Sequence, residues 1–242
     1  MSDSNASQGR GSTLGSAVFG GVVGAALTAG LLFYAGPQLI GTRMVRQALL
    51  ADPNILVETA DALRDQQYAP VVAQHRQALE TPFASSWKGS AKPDVTLVEF
   101  FDYACSYCKA SNPDIDRLVA EDPNLRVVYR EFPILGADSV TAARLSLTAS
   151  RAGRFRQFHD ALYAAGRPGS ETLALAAKAV GLPAQVTPDP AIEAELKRNF
   201  QIAGQLGATG TPLFVVGNTV MNSAVGYDAL KAAVANARKA KS

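Results

Sequence analysis

The longest apolar run of the chain lies near its N-terminus. No residue from Gly11 to Thr42 is charged, and residues 16–36 have the sequence SAVFGGVVGAALTAGLLFYAG. A helix of this length crosses the roughly 30 Å hydrocarbon core of a bilayer. We therefore predict a transmembrane helix at residues 16–36, after an N-terminal tail at residues 1–15. A cleaved signal peptide and a buried soluble helix are the alternatives.

The next segment, residues 44–87, has a helical pattern. Leucines recur every seven residues between Leu49 and Leu63, on one face of a helix. Asp52 followed by Pro53 is typical of an N-cap and a first helical residue. The segment is either a set of helices packed against their own domain, a stalk or an oligomerisation segment, because fewer than three heptads do not establish a coiled coil. The prediction is a short helix up to Asp52, a second to about Gln67 and a third from Ala69 to Leu79.

From Asp94 onwards, short apolar runs alternate with helical patterns. The runs are rich in β-branched and aromatic residues, which is typical of buried strands. This alternation predicts an α/β domain over residues 94–240, with a helical block inserted at about residues 139–205. The composition of residues 89–93 (GSAKP) predicts a linker that leads into this α/β domain. The predicted strands are Val95–Asp102, Arg126–Glu131, Leu213–Val216 and Thr219–Asn222.

Composition and charge narrow the range of functions. The 242 residues are 48% hydrophobic, which is ample for a buried core. The formal net charge is +2, and its positive residues are spread along the chain, so we expect no nucleic-acid partner. The most informative feature is that the only two cysteines, Cys105 and Cys108, form a CxxC pair.

The CxxC pair lies between a predicted strand and a predicted helix. A helix N-terminus presents free N–H groups and the positive end of the helix dipole, which stabilise a thiolate. We therefore predict that Cys105 is the nucleophile of thiol–disulfide exchange. Cys108, one turn deeper, is predicted to resolve the mixed disulfide.

Two other uses of a CxxC pair are less consistent with this chain. Zinc needs about four ligands, and the only histidines are His75 and His159, so we expect no metal and no cofactor. A purely structural disulfide is the second alternative, but closing so short a loop restrains the unfolded chain little.

Four stretches of the chain together resemble a known family. The first is VEFFDYACSYCKAS, around the CxxC pair, and the others are Val127–Ala149, Gly153–Tyr163 and Gly207–Asn218. They resemble the DsbA family, the bacterial extracytoplasmic branch of the thioredoxin superfamily. The resemblance covers about Asp94 to Arg238. It implies a thioredoxin-like fold with an inserted helical domain.

The resemblance also implies roles for three further residues. Thr211 and Pro212 match the family's cis-proline loop, which faces the CxxC and holds the substrate chain; the residues alone allow a trans proline at the entry of a strand. Glu99 matches a buried family acid that assists proton transfer. A strand glutamate that reaches solvent is the alternative for Glu99.

The chain departs from the family pattern between its cysteines. The best-known oxidases of the family have Pro-His there, whereas this chain has Ser106 and Tyr107 and therefore no cation. We expect a less oxidising couple as a result. With a tyrosine before the second cysteine and a threonine before the cis-proline, the chain is more similar to the isomerases DsbC and DsbG. It also resembles the ScsC group, whose N-terminal helical segments mediate oligomerisation. Residues 44–80 loosely resemble that segment and imply a homo-oligomer.

These features together predict a membrane-anchored thiol:disulfide oxidoreductase. It would span the inner membrane once, with its catalytic domain in the periplasm, although the arginines flanking the apolar run do not fix its orientation. The expected partners are unfolded or misfolded cysteine-containing proteins and a membrane redox partner. Oxidase, isomerase and reductase directions remain open. A dedicated thiol reductant or binding partner for one client, such as a cytochrome-maturation or metal-handling protein, and a non-enzymatic membrane scaffold are the alternatives.

Overall fold

The computed structural model describes residues 41–185 and 187–240. The predicted tail and transmembrane helix, residues 1–36, lie outside the described residues. Among the helices that are described, none combines the length and the apolar character needed to cross a membrane. The chain divides into two compact units, Met1–Asp61 and Ala62–Ser242.

In the first unit, residues 41–51 are helical (α1). The next helix, α2, covers Asn54–Glu80 and extends into the second unit. It begins where the sequence predicts, because the Asp52 carboxylate accepts a hydrogen bond of 3.0 Å from the backbone N–H of Asn54. Both helices carry exposed apolar side chains. These are Met44, Val45, Leu50, Leu56, Val57 and Leu63.

The helix α2 differs from the sequence prediction in two ways. It is continuous through Pro70, so the predicted break between Gln67 and Ala69 is absent. Its second half is held by tertiary contacts, because Val72 and Leu79 are buried in the core of the second unit. The helix ends at Glu80, one residue after the predicted end at Leu79, whereas Trp87, the outer limit of the segment with a helical pattern, begins a strand.

The second unit contains a mixed five-stranded sheet with the order β1-β3-β2-β4-β5. β2 and β3 are parallel, whereas the other neighbouring pairs are antiparallel. β1 was not predicted, and it replaces the start of the predicted linker. The strands are β1 (Trp87–Gly89), β2 (Val95–Phe101), β3 (Leu125–Glu131), β4 (Leu213–Val216) and β5 (Thr219–Met221).

Helices connect β2 to β3 and β3 to β4, and helices pack on both faces of the sheet. Four of them lie between β3 and β4, with interruptions at the glycine- and proline-rich stretches of the sequence. The α/β class is therefore confirmed. The helices after α2 are α3 (Ser106–Glu121), α4 (Ala137–Arg151), α5 (Phe155–Ala165), α6 (Ser170–Ala179), α7 (Pro190–Gln205) and α8 (Tyr227–Lys239).

The central strand β2 is buried along its whole length. Because side chains alternate across a strand, Leu97 and Phe101 face the core beneath α3, α5 and α8. Val98 and Phe100 face the opposite core, which contains α2 and α7 residues. Glu99 lies on the same face of β2 as Leu97 and Phe101. Its carboxyl group therefore points into the first of these cores.

A buried ion pair joins the sheet to two helices. Arg130 on β3 pairs with Glu195 on α7, and both side chains are almost fully buried. The same guanidinium donates to the carbonyl oxygens of Ala78, Leu79 and Thr81. These carbonyls end α2 and would otherwise have no helical partner. Arg130 therefore fixes the C-terminal end of α2 against the sheet.

We expect Arg130→Met to lower the free energy of unfolding by about 3–5 kcal/mol. The buried Glu195 carboxylate would keep only its 3.1 Å ion pair with the exposed Arg198, and the carbonyls at the end of α2 would lose their donor. Urea unfolding followed by circular dichroism measures the loss. Arg144→Met is the matched control: Arg144 pairs with Glu193 at the surface, and its loss should cost about 1 kcal/mol or less. Equal losses in the two variants would contradict the role assigned to Arg130.

Candidate active site

The CxxC pair lies where β2 passes into α3. Cys105 is the N-cap of α3 and has an extended backbone, and its carbonyl accepts the first helical hydrogen bond, 3.1 Å from the N–H of Lys109. Its own N–H donates to the carbonyl of Asp102 at 3.0 Å. Cys105 thus lies at a helix N-terminus, as predicted.

The two cysteines differ in their access to solvent. Cys105 is 7% exposed and Cys108, in the first turn of α3, is 0% exposed. Both are free thiols in the structure. Burial raises the pKa of Cys108 far above its usual range, and the nearby charge of Glu99 adds to the rise. Cys108 therefore keeps its proton, and Cys105 is the sulfur that a reactant can approach.

The loop before β4 faces Cys105. The Cys105 Sγ lies 3.2 Å from the carbonyl oxygen of Thr211, to which it donates. The Thr211–Pro212 peptide bond is cis, as the resemblance implies. The contact follows from the sheet, since β4 pairs with β2 with Leu213 opposite Phe100.

A buried carboxylate, Asp102, holds the loop that carries Cys105. It accepts the N–H of Ala104 at 2.8 Å, that of Ile134 at 2.8 Å and that of Leu135 at 2.9 Å. Asp102 thereby ties the CxxC loop to the loop after β3. The sequence reasoning did not single it out, although an aspartate that ends a strand before a turn is a recognisable signal.

Glu99 lies beneath the CxxC pair on β2. It is buried, and neither carboxyl oxygen has a hydrogen-bond partner among the described residues. Burial raises the pKa of Glu99 to about 8, with a further rise from the charge of Cys105. The group can therefore gain or lose a proton close to neutral pH, as proton transfer requires.

His159, one of the two histidines of the chain, is buried in an aromatic cluster on α5. Burial lowers its pKa to about 3, so the ring is neutral at neutral pH. Its Nδ1 lies 3.4 Å from the hydroxyl of Tyr103, which also lies 2.9 Å from the hydroxyl of Ser146. The rings packed around His159 are Phe101, Tyr103, Tyr129, Phe155 and Tyr163.

Comparison with known proteins identifies the arrangement. The sequence model of the DSBA-like thioredoxin domain matches residues 96–235. The chain belongs to the DSBA-like thioredoxin domain family. It is thus a member of a thiol–disulfide oxidoreductase family, and its α/β fold is thioredoxin-like, as the resemblance implied.

Solved structures from this group are similar over most of their length. A thioredoxin-like oxidoreductase from Silicibacter pomeroyi DSS-3 is 39% identical, with a TM-score of 0.62, over 68% of this chain and 98% of that one. A periplasmic thioredoxin-like protein from Salmonella enterica serovar Typhimurium is 31% identical, with a TM-score of 0.62, over 68% of this chain and 95% of that one. Proteus mirabilis ScsC in a transitional conformation is 26% identical, with a TM-score of 0.65, over 85% of this chain and 97% of that one.

Curated relatives include much longer proteins. Two Na(+)/H(+) antiporters of the NhaA type, from Salinispora tropica and Salinispora arenicola, are each 26% identical over 144 residues. The match covers 59% of this chain and 19% of the length of each antiporter.

The buried Glu99 predicts a pH dependence of stability. Its carboxyl has a pKa of about 8 in the folded protein and an ordinary value of about 4.3 when unfolded. The folded state therefore binds more protons between these values, and stability is lost as the pH rises from about 4.3 to 8. Glu99→Gln should remove this loss, which amounts to about 4–5 kcal/mol.

Urea unfolding of the reduced protein between about pH 5 and 8 measures the effect. The advantage of Glu99→Gln over the unchanged protein should grow with pH across this range. Glu58→Gln, at an exposed position of α2, is the control and should follow the unchanged protein. Parallel pH profiles for all three proteins would show that Glu99 does not titrate in this range.

Proposed function

We propose that this protein exchanges disulfides with extracytoplasmic client proteins through Cys105 and Cys108. The observation that carries the proposal is the asymmetry of the pair. The reachable sulfur begins a helix and lies 3.2 Å from the Thr211 carbonyl of the cis-proline loop, while the second sulfur is buried one turn below. This arrangement lets one sulfur meet a client and the other close the bridge.

In the oxidising direction, a client thiolate attacks the Cys105 sulfur of a Cys105–Cys108 disulfide. The S–S bond breaks, Cys108 leaves as a thiolate and takes up a proton, and a mixed disulfide joins Cys105 to the client. A second client thiolate then attacks the client sulfur of this mixed disulfide. The client gains a disulfide, and two electrons remain on Cys105 and Cys108 as thiols.

In the isomerising or reducing direction, the Cys105 thiolate attacks a client disulfide. Either a client thiol or Cys108 resolves the adduct. Ser106 and Tyr107 place no cation between the cysteines, which favours this direction over strong oxidation. Trapping the thiols in living cells tests the assignment, since an isomerase or reductase is held reduced and an oxidase is held oxidised.

Two groups assist the exchange in this proposal. The extended client segment lies along Thr211 and Pro212, whose peptide bond presents backbone next to Cys105. Glu99 supplies or accepts the proton that Cys108 exchanges, because its carboxyl is buried, has no hydrogen-bond partner in the described part of the chain and titrates with a pKa of about 8.

The setting of the reaction is part of the proposal. The apolar run at residues 16–36 anchors the chain in the inner membrane, and the catalytic domain faces the periplasm. One relative is itself described as periplasmic. A client pool of unfolded or misfolded cysteine-containing proteins and a membrane redox partner complete the cycle.

Replacing Cys105 tests the enzymatic proposal directly. Cys105→Ser should abolish the recovery of activity by a scrambled disulfide-bonded client, because no attacking sulfur remains. Cys108→Ser is the matched control: it should retain attack and accumulate mixed disulfides visible on non-reducing gels. Recovery by Cys105→Ser at the unchanged rate would rule the function out.

We also propose that the protein is a homo-oligomer through residues 44–80. Leu56 and Leu63 lie seven residues apart on α2 and are 57% and 62% exposed. Such a stripe is stabilised when a second copy covers it. The similarity to ScsC supports the proposal because it extends over 85% of this chain.

The double variant Leu56→Glu/Leu63→Glu should shift the detergent-solubilised protein towards the monomer in analytical ultracentrifugation. Buried carboxylates would oppose association of the apolar stripe. Leu175→Glu, at an equally exposed leucine on α6, is the control and should leave the mass unchanged. An oligomer that survives the double variant would exclude this stripe as the interface.

A further inference from the structure

Cys105 lies beside two grooves of different chemical character, because it lines one of them and contacts Thr211, which lines the other. On one side is a neutral groove lined by Tyr107, Gly210, Thr211, Asn222 and Ser223. This groove adjoins the cis-proline loop, and its lining residues carry no charge. A client segment that lies along Thr211 therefore meets polar and aromatic groups there.

The groove on the other side of Cys105 is basic. Its lining includes Cys105 itself, Ser106, Lys109, Tyr163 and Arg167. Lys109 comes from α3, and Arg167 comes from the connection between α5 and α6 in the helical insertion. The two cations are thus brought together by the fold from positions 58 residues apart in sequence (167 − 109).

Both cations are available to a partner. Lys109 and Arg167 are exposed. Neither side chain forms an ion pair within the described part of the chain. The described residues that line the two grooves include no aspartate or glutamate. Of these two grooves, only the one on the insertion side presents positive charge to an approaching peptide.

We infer that Lys109 and Arg167 select client segments that carry aspartate or glutamate next to the reacting cysteine. The inference rests on the proposed function and names its substrate class. A client that extends across Cys105 places one flank in the neutral groove and the other in the basic groove. Acidic side chains on the second flank gain charge complementarity, which raises the rate of productive encounter.

The test uses the full-length oxidised protein and three short peptides, each with one cysteine flanked by acidic, neutral or basic residues. The measured quantity is the second-order rate of mixed-disulfide formation. Each rate is divided by the rate of the same peptide with a small neutral disulfide, because flanking charge alters the reactivity of the peptide thiol itself. The acidic peptide should react about tenfold faster than the basic one at low salt.

Charge reversal separates the basic groove from the net charge of the protein. Lys109→Glu/Arg167→Glu should invert the preference between the acidic and basic peptides. Arg156→Glu/Lys178→Glu is the matched control, since it changes the net charge equally at exposed residues outside both grooves, and it should retain the preference. About 1 M salt should abolish the preference in every protein, because it screens charges beyond about 3 Å.

Three results would overturn the inference. If the neutral peptide reacts but the acidic and basic peptides react equally, disulfide exchange stands and the selection fails. If the preference survives Lys109→Glu/Arg167→Glu, its source lies elsewhere. A protein that reacts with none of the three peptides would overturn the exchange function as well.

Discussion

The pairing of β2 with its two neighbours is the constraint on which the site depends. β2 delivers Cys105 at its carboxyl end, and its antiparallel pairing with β4 places the Thr211 carbonyl 3.2 Å from that sulfur. Its parallel pairing with β3 sets Phe101 opposite Glu131. The loops that follow β2 and β3 are therefore close enough for Asp102 to accept N–H groups from both. A slip of this register would separate the groups that exchange requires.

The site also concentrates polar groups that a stable core would exclude. Glu99 has no partner for either carboxyl oxygen, and one carboxyl oxygen of Glu131 lacks a partner among the described residues. Burial raises the pKa of both carboxyls. Burying such groups costs free energy, and perturbed acids of this kind cluster at functional sites. The apolar side chains buried on both faces of the sheet offset this cost.

Much of this arrangement could be predicted from local sequence pattern. The run VTLVEFFDY predicts a buried strand because it is rich in β-branched and aromatic residues, and CxxC after it places a sulfur at a helix start. β1 was missed because its three residues are held only by pairing with β3. The break predicted before Ala69 is absent because packing of α2 on the sheet overrides the local signal at Pro70. The cis-proline loop could be predicted only through the family resemblance.

Contacts that depend on tertiary register could not be predicted. The Asp102 carboxylate binds N–H groups 32 and 33 residues further on, and no local pattern indicates such partners. The basic groove likewise combines Lys109 on α3 with Arg167 in the insertion. In the sequence alone, Lys109 and Arg167 are each typical of an ordinary surface cation. Only the folded chain shows that both lie beside Cys105.

The central claim is that Cys105 is the attacking sulfur and that Cys108 is held protonated beneath it. A brief pulse of iodoacetamide on the reduced protein at neutral pH, followed by peptide mass spectrometry, tests the claim most directly. Because alkylation requires an accessible thiolate, the account predicts label on Cys105 and almost none on Cys108. Label on Cys108 first, or on both cysteines at equal rates, would contradict it.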